Sequence, residues 1–414
     1  MNMITPVSTL PSIVDRFHPK QVAFLAELVK VPSDNPPGDC RPHAEAAAGL
    51  LEALGFTVER HPVPEEVVRA NGMISATNLI VRHRFGPGPT VALNAHGDVV
   101  PPGAGWTADP YGAEIRDGVM YGRGVAVSKS DFAAYAFALK ALIESKARLA
   151  GTVELHLTYD EEIGGLIGPG WLLDQKLTKP DYVLSAGFSY NIVVAHNGCL
   201  HLEVRVEGKS AHAARPDTGV DALEAATKLL ASLYELREAY KAIRSQVPGI
   251  EHPTLVVGLI EGGINTNVVP DVVTLRVDRR MIPEEMPEIV ERDLVAQIAA
   301  VAARLPGVTV TTQRILLARP LQPQPGHERL VSTIQRHASM VLGEDIPANG
   351  VPLYTDARLY SAAGIPTVLY GAGPRSLLEA NGHRADEKLA LEDLRKATKV
   401  VALTLADLLS TPRA

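Results

Sequence analysis

Cysteine is almost absent from this 414-residue chain, with Cys40 and Cys199 the only two. So few thiols exclude a disulfide framework and fit a reducing, cytoplasmic setting, and both read as buried small hydrophobes. Positive charge is not in excess either: 40 Lys and Arg face 47 Asp and Glu, a net of −7. That balance leaves no electrostatic footprint for nucleic acid. No apolar run is long enough to span a bilayer. The opening MNMITPVSTLPSIVDRF lacks a basic segment followed by an apolar one, so no leader peptide is expected. Internal repeats and low-complexity tracts are missing as well.

What is present is a soluble globular composition, 46% hydrophobic and 21% charged. The length predicts two domains. Helical spacing of apolar residues marks Val22–Val31, Ala44–Leu54 and Phe132–Ser145. Thr77–His83, Thr90–Asn94 and Thr152–Thr158 read as strands, the second nearly all apolar and so buried on both faces. This alternation predicts an α/β domain, a sheet with helices on both faces. The texture changes near Asn197. His201–Glu207 alternates like a half-exposed antiparallel strand, followed by a helix at Ala222–Tyr240 and strands at Thr254–Ile260 and Val272–Val277. A helix at Glu284–Leu305 and a strand at Val308–Thr312 complete an inserted α+β domain of ferredoxin-like pattern. The proline-rich stretch Arg319–Pro325 reads as the return linker. The strand Pro366–Leu369 and the helix Leu391–Leu409 then resume the first pattern. The expected domains are 1–198 with 318–414, and 199–317.

Four islands carry chemistry. His96-Gly97-Asp98 follows the buried strand, and side chains two apart in extended backbone share a face. A neutral imidazole there can bind a metal while the carboxylate orients the ring. Glu161-Glu162 follows another strand on a turning backbone, so one carboxylate can hold a metal while the other takes a proton from water. Tyr121-Gly122-Arg123-Gly124 leads to Lys129, and His383 sits late in the chain. Each island alone is equally well read as a capped strand end, a solvated acidic pair or a loop histidine.

Together, in this order, the islands resemble the dinuclear-zinc metallopeptidase and amidohydrolase family that includes carboxypeptidase G, acetylornithine deacetylase, succinyl-diaminopimelate desuccinylase and aminoacylase. The resemblance runs from about Gln21 to Leu409. It is carried also by Gly208–His212, Gly262–Pro270, Asp278-Arg279-Arg280 and Thr355–Arg358. It implies that His96, Glu162 and His383 are metal ligands, that Asp98 orients His96, and that Glu161 is the general base. It further implies that His212 steadies an oxyanion in a neighbouring subunit's site, and that Asn267, Arg280 and Gly373 contact substrate.

The chain departs from that family where the bridging aspartate should stand, since Val127 occupies the position. The further acid expected after Tyr182–Leu184 is missing too, the chain reading Ser185-Ala186-Gly187-Phe188. The expectation is one divalent ion per chain, zinc, manganese or cobalt, held weakly. Asp131 and His196 are spare ligand candidates, their plainer readings being an exposed helix-start acid and a structural strand-end residue. The expected protein is a cytoplasmic homodimeric hydrolase. It cleaves an amide C–N bond of a small carboxylate-bearing substrate, with no nucleic-acid or membrane partner. Hydrolytic deamination of an anthranilate-type acid, with Phe188 and Tyr190 lining a flat pocket, is the second reading. A non-catalytic small-molecule binder is the third.

Overall fold

The computed structural model describes residues 6–410. The first five residues, part of the segment read for a leader, lie outside them. The chain divides into two compact units, Met1–Val194 with Pro323–Asn349 and Thr355–Ala414, and Ala195–Gln322 with Gly350–Tyr354.

The first unit is built on a mixed sheet. Its strands run in the order Val58–Pro62, Thr77–Gly86, Gly151–Thr158, Thr90–His96, Tyr182–Ser185, Thr367–Leu369, Ile192–His196 and Ala348–Val351. Pairing is antiparallel through the first three strands and parallel from the third to the sixth, Gly151–Thr158 to Thr367–Leu369. The central strands are apolar on both faces because helices cover both. Val91 and Leu93 join the main core, while Ala92 packs with Val183 and Tyr360 on the other side. Helices Leu10–Val29, Lys129–Ser145 and Leu391–Leu408 pack on one another over the first face. The first of these starts well before the expected Val22. Buried Leu10, Ile13, Val14, Phe24, Leu25 and Leu28 continue one apolar face through Pro19.

Register brings four loops to one edge. His96 pairs with Thr158, Asn94 with Ser185, and Ser185 with Leu369. The loops after these strands therefore leave the carboxyl ends side by side, where open α/β sheets bind ligands. They carry Asp98, Glu161 and Glu162, Phe188, and Gly373.

The second unit has an antiparallel sheet ordered Thr254–Gly262, Val272–Met281, Gly198–Glu207, Thr309–Ala318. Leu200, Leu202, Val204 and Val206 face the helices Ala222–Tyr240 and Pro287–Ala302, as do Val273, Leu275 and Val277. The period of two turns Cys199, His201 and Asp278 to the opposite face. Asp221 caps the first helix, accepting the N–H groups of Leu223 and Glu224. No described helix is long and apolar enough to cross a membrane.

Candidate metal centre

His96 ends its strand with its backbone held on both sides by Ser128, whose hydroxyl donates to His96 O at 2.9 Å and accepts His96 N–H at 3.2 Å. The ring is oriented by Asp98, whose backbone carbonyl lies 2.9 Å from Nδ1. With Nδ1–H donating there, Nε2 is turned to the next loop and lies 3.8 Å from Glu161 Oε2. Asp98 is fully buried and organises the next loop as well. Its carboxylate accepts the N–H groups of Glu161 at 3.3 Å and Glu162 at 3.2 Å, and Asn35 Nδ2 at 3.0 Å. One carboxylate thus fixes both the imidazole and the two glutamates.

The donor atoms of His96, Glu161 and Glu162 lie within 4.8 Å of one another. His383 stands beside this group rather than in it, half exposed, with Nε2 3.5 Å from Glu162 Oε1. That Oε1 is buried, and no hydrogen bond among the described residues satisfies it. A buried carboxylate oxygen with no hydrogen bond, 3.5 Å from the His383 imidazole, suits a divalent cation. His96, Glu161 and Glu162 are the convergent donor set that fits one such ion, with His383 next to Glu162. The same carboxylates act on the imidazole. Burial opposes charge on His96, yet Glu161, Asp98 and Glu162 hold its pKa well above the usual value. Burial, followed by the charges of Glu162 and Asp98, pushes Glu161 up to about 8 against the pull of His96. Burial also acts on Asp98, but His96, Asn35 and the Glu162 amide keep it below its ordinary value.

Val127 sits in a loop held by an acid from elsewhere. Glu387 accepts the N–H groups of Ala126 at 3.0 Å and Val127 at 3.2 Å, and pairs at 2.6 Å with Arg123, itself buried. Gly124 takes φ +78°, and a Cβ there would stand 2.5 Å from Val99. Val127 itself packs against the main core. Lys129 is buried, donates to Val31 O at 3.0 Å, and is pushed by burial down to about 7.

Asp131 departs from expectation. It is buried rather than exposed, because the helix it opens is enclosed on nearly every side. Its carboxylate accepts Ala372 N–H at 2.7 Å, and a side chain on Gly371 would collide with it. It secures a loop and joins no metal-binding group among the described residues. His196 is buried in the second unit, with Nδ1 2.9 Å from Asn197 O. Tyr190 donates to Asp393 at 2.6 Å and lies under the Arg375 guanidinium, so nothing in its contacts favours the deamination reading.

The remaining predicted residues divide between the units. Gly373 exchanges backbone hydrogen bonds with its neighbours, donating to Gly187 O and accepting from Ser189. In the second unit, His212 is exposed on one strand of a short ribbon and Asn267 in the turn just before the other, where Ala213 N–H donates to Asn267 O at 2.9 Å. Arg280 grips Asp278 through Nε and Nη2 at 2.9 and 3.0 Å and lies over the Tyr354 ring. Sequence reasoning gave no role to Asn35, Asp160 or Asp356. Asp160 and Asp356 are both buried and held well above the usual carboxylate range by burial, with each other's charge acting on Asp160 and Glu161's on Asp356. The neighbouring pair Glu161-Glu162 and the run Thr355–Arg358 carried the signal for these two. Asn35 left none, since it meets Asp98 only through the fold.

An α/β fold that gathers imidazoles and carboxylates at the carboxyl ends of its parallel strands defines a metallohydrolase architecture. The chain belongs to peptidase family M20/M25/M40, whose family model matches residues 92–407. It is accordingly a hydrolase acting on C–N bonds, of a family that binds divalent metals. It is 31% identical over 349 residues to an acetylornithine deacetylase of Proteus mirabilis, covering 82% of this chain and 83% of that one. It is 28% identical to a succinyl-diaminopimelate desuccinylase of Rhodospirillum centenum, covering 94% and 97%. Among solved structures, a di-peptidase of Saccharomyces cerevisiae superposes with TM-score 0.78 at 16% identity, covering 98% of this chain and 99% of that one. A dinuclear metal-binding family M20 peptidase of Bacillus subtilis gives 0.67 at 17% identity, covering 95% and 99%.

Proposed function

We propose that the protein hydrolyses the amide bond of a small substrate bearing a carboxylate, with one readily lost divalent ion per chain held by His96, Glu162 and His383. Lewis acidity toward the scissile carbonyl and toward water is what such a cation supplies when bound. Glu161 is the general base: it takes a proton from water and returns it to the leaving amine. The observation that carries this reading is the placement of Glu161 and Glu162 by the Asp98 carboxylate, beside His96 Nε2. Glu161 is kept from charging easily by burial, so positive charge beside it draws it into the ionised, basic form. Asp98 is a positioning residue, fixing the His96 tautomer.

Arg280 and Asn267 hold the substrate carboxylate in this reading, a planar guanidinium being suited to it. His212 of the partner subunit steadies the developing negative charge. A homodimer is supported by the edge strand Thr254–Gly262, which exposes Val256, Leu259 and Ile260. The two cysteines, both buried and outside any disulfide, support a cytoplasmic setting.

The test is elemental analysis of protein purified without chelator, coupled to assay on a panel of N-acyl amino acids and dipeptides. Retained metal in Glu161→Gln with turnover abolished supports the assignment. Undiminished turnover in that variant overturns it.

A further inference from the structure

A second group of soft and hard donors lies in the second unit, on the sheet face turned away from the helices. Cys199 and His201 are two apart on one strand, and their cross-strand partners are Arg280 and Asp278. All four side chains share that face. Cys199 Sγ is 3.1 Å from His201 Nε2, Nε2 is 3.1 Å from Asp278 Oδ2, and Sγ is 3.8 Å from Asp278 Oδ1. The three donor atoms converge within 4.8 Å. Tetrahedral zinc, with bonds of about 2.3 Å to sulfur and about 2.0–2.2 Å to nitrogen and oxygen, spaces its donors roughly 3.3–3.6 Å apart. The distances here straddle that range.

Hydrogen bonds join the three groups, the Cys199 thiol donating to Asp278 Oδ1. Nε2 carries one hydrogen at most, yet a sulfur and a carboxylate oxygen both lie against it. We propose that Cys199, His201 and Asp278 bind one thiophilic divalent cation such as zinc or cadmium, at a site that shares no residue with the His96 centre. Thiolate, imidazole and carboxylate together match that class of ion. The strands supply three donors, and the fourth position falls to water, since His201 and Asp278 are 33% and 30% exposed. Binding releases the Cys199 thiol proton to solvent and takes neutral His201. Arg280 does not block the ion. A carboxylate offers about four lone-pair positions, so the guanidinium keeps Asp278 ionised while leaving room for a cation.

The test uses cadmium on the full-length protein after chelation and desalting. The expected result is an ultraviolet thiolate-to-cadmium charge-transfer band that saturates at about one equivalent per chain and is displaced by zinc. Cys199→Ser and His201→Ala should each lose it, whereas Cys40→Ser and Glu162→Ala should keep it. His201 is partly exposed, so its variant remains informative if Cys199→Ser folds poorly; circular dichroism checks each. A wild-type protein without the band overturns the proposal. So does a band that survives Cys199→Ser, or one whose midpoint is unmoved in His201→Ala, where His201 serves only as an ion-pair partner of Asp278. Because cadmium at the His96 centre meets no thiol, these outcomes are independent of the proposed hydrolysis.

Discussion

Two loops bear on His96, and they do so with opposite chemistry. The loop of Glu161 and Glu162 presents side chains toward the imidazole, its backbone fixed by Asp98. The loop of Val127 presents only Ser128, and its backbone is fixed by Glu387 and Arg123. Both are held by a buried carboxylate that binds consecutive amides. In neither does the holding depend on the side chains that would ligate a metal. The shape of the Val127 loop therefore survives without an acid at that position, and scaffold and ligand are separable properties of the same backbone.

The largest effect should come from removing the reactive group of the first loop. Glu161→Gln is expected to lower kcat by about 10²–10⁴-fold, the usual contribution of a general base, with little change in KM. Steady-state kinetics on the metal-loaded enzyme reads this directly. Breaking the scaffold of the second loop comes next. Arg123→Ala leaves Glu387 charged and buried without its partner, which should cost about 3–5 kcal/mol in urea unfolding. A loss below about 1 kcal/mol, the value of a surface pair, would sink the idea that this acid secures the loop.

Val127→Asp sharpens the comparison by placing an acid in a loop already held. Retained metal should rise from about one ion toward about two per chain, as a bridging carboxylate allows. Stoichiometry unchanged would mean that the loop does not turn this side chain to the centre. The smallest effect belongs to Asp131→Asn, which keeps a carbonyl oxygen for Ala372 N–H. Net loss should be about 0.5–1.5 kcal/mol, with metal content unchanged. Burial raises Asp131 from 3.8 to about 7. The folded protein then binds this proton more tightly than the unfolded chain, so the group makes stability fall as pH rises from about 4 to about 7. The asparagine variant should lack that component of the pH–stability profile.

Much of this arrangement was visible in the chain itself, and the hidden part has a common cause. The apolar run at Val91 to Asn94 announces a strand buried on both faces, and its end marks His96. Alternation from His201 to Glu207 separates the helix-facing residues of the second sheet from the open ones. The position of Val127 is legible because glycines and Lys129 flank it. What local pattern does not carry is which distant group satisfies a buried polar one. Asn35 reaches Asp98, Glu387 reaches Ala126, and Asp131 reaches Ala372 across long stretches of chain. Asp131 looks like a solvated helix-start acid because nothing nearby reveals that its helix is enclosed. Start positions of helices blur for the same reason, as Leu10 shows.

The Arg123–Glu387 pair also bears on how the molecule comes into being. Synthesis delivers the backbone that Glu387 holds long before Glu387 itself, and domains fold in the order in which they leave the ribosome. Until the late segment arrives, the guanidinium and the amides around Val127 have only water or transient neighbours to bond. The Ala195–Gln322 unit is complete by then. The nascent chain therefore carries a finished second unit while the Val127 loop still lacks the acid that holds it.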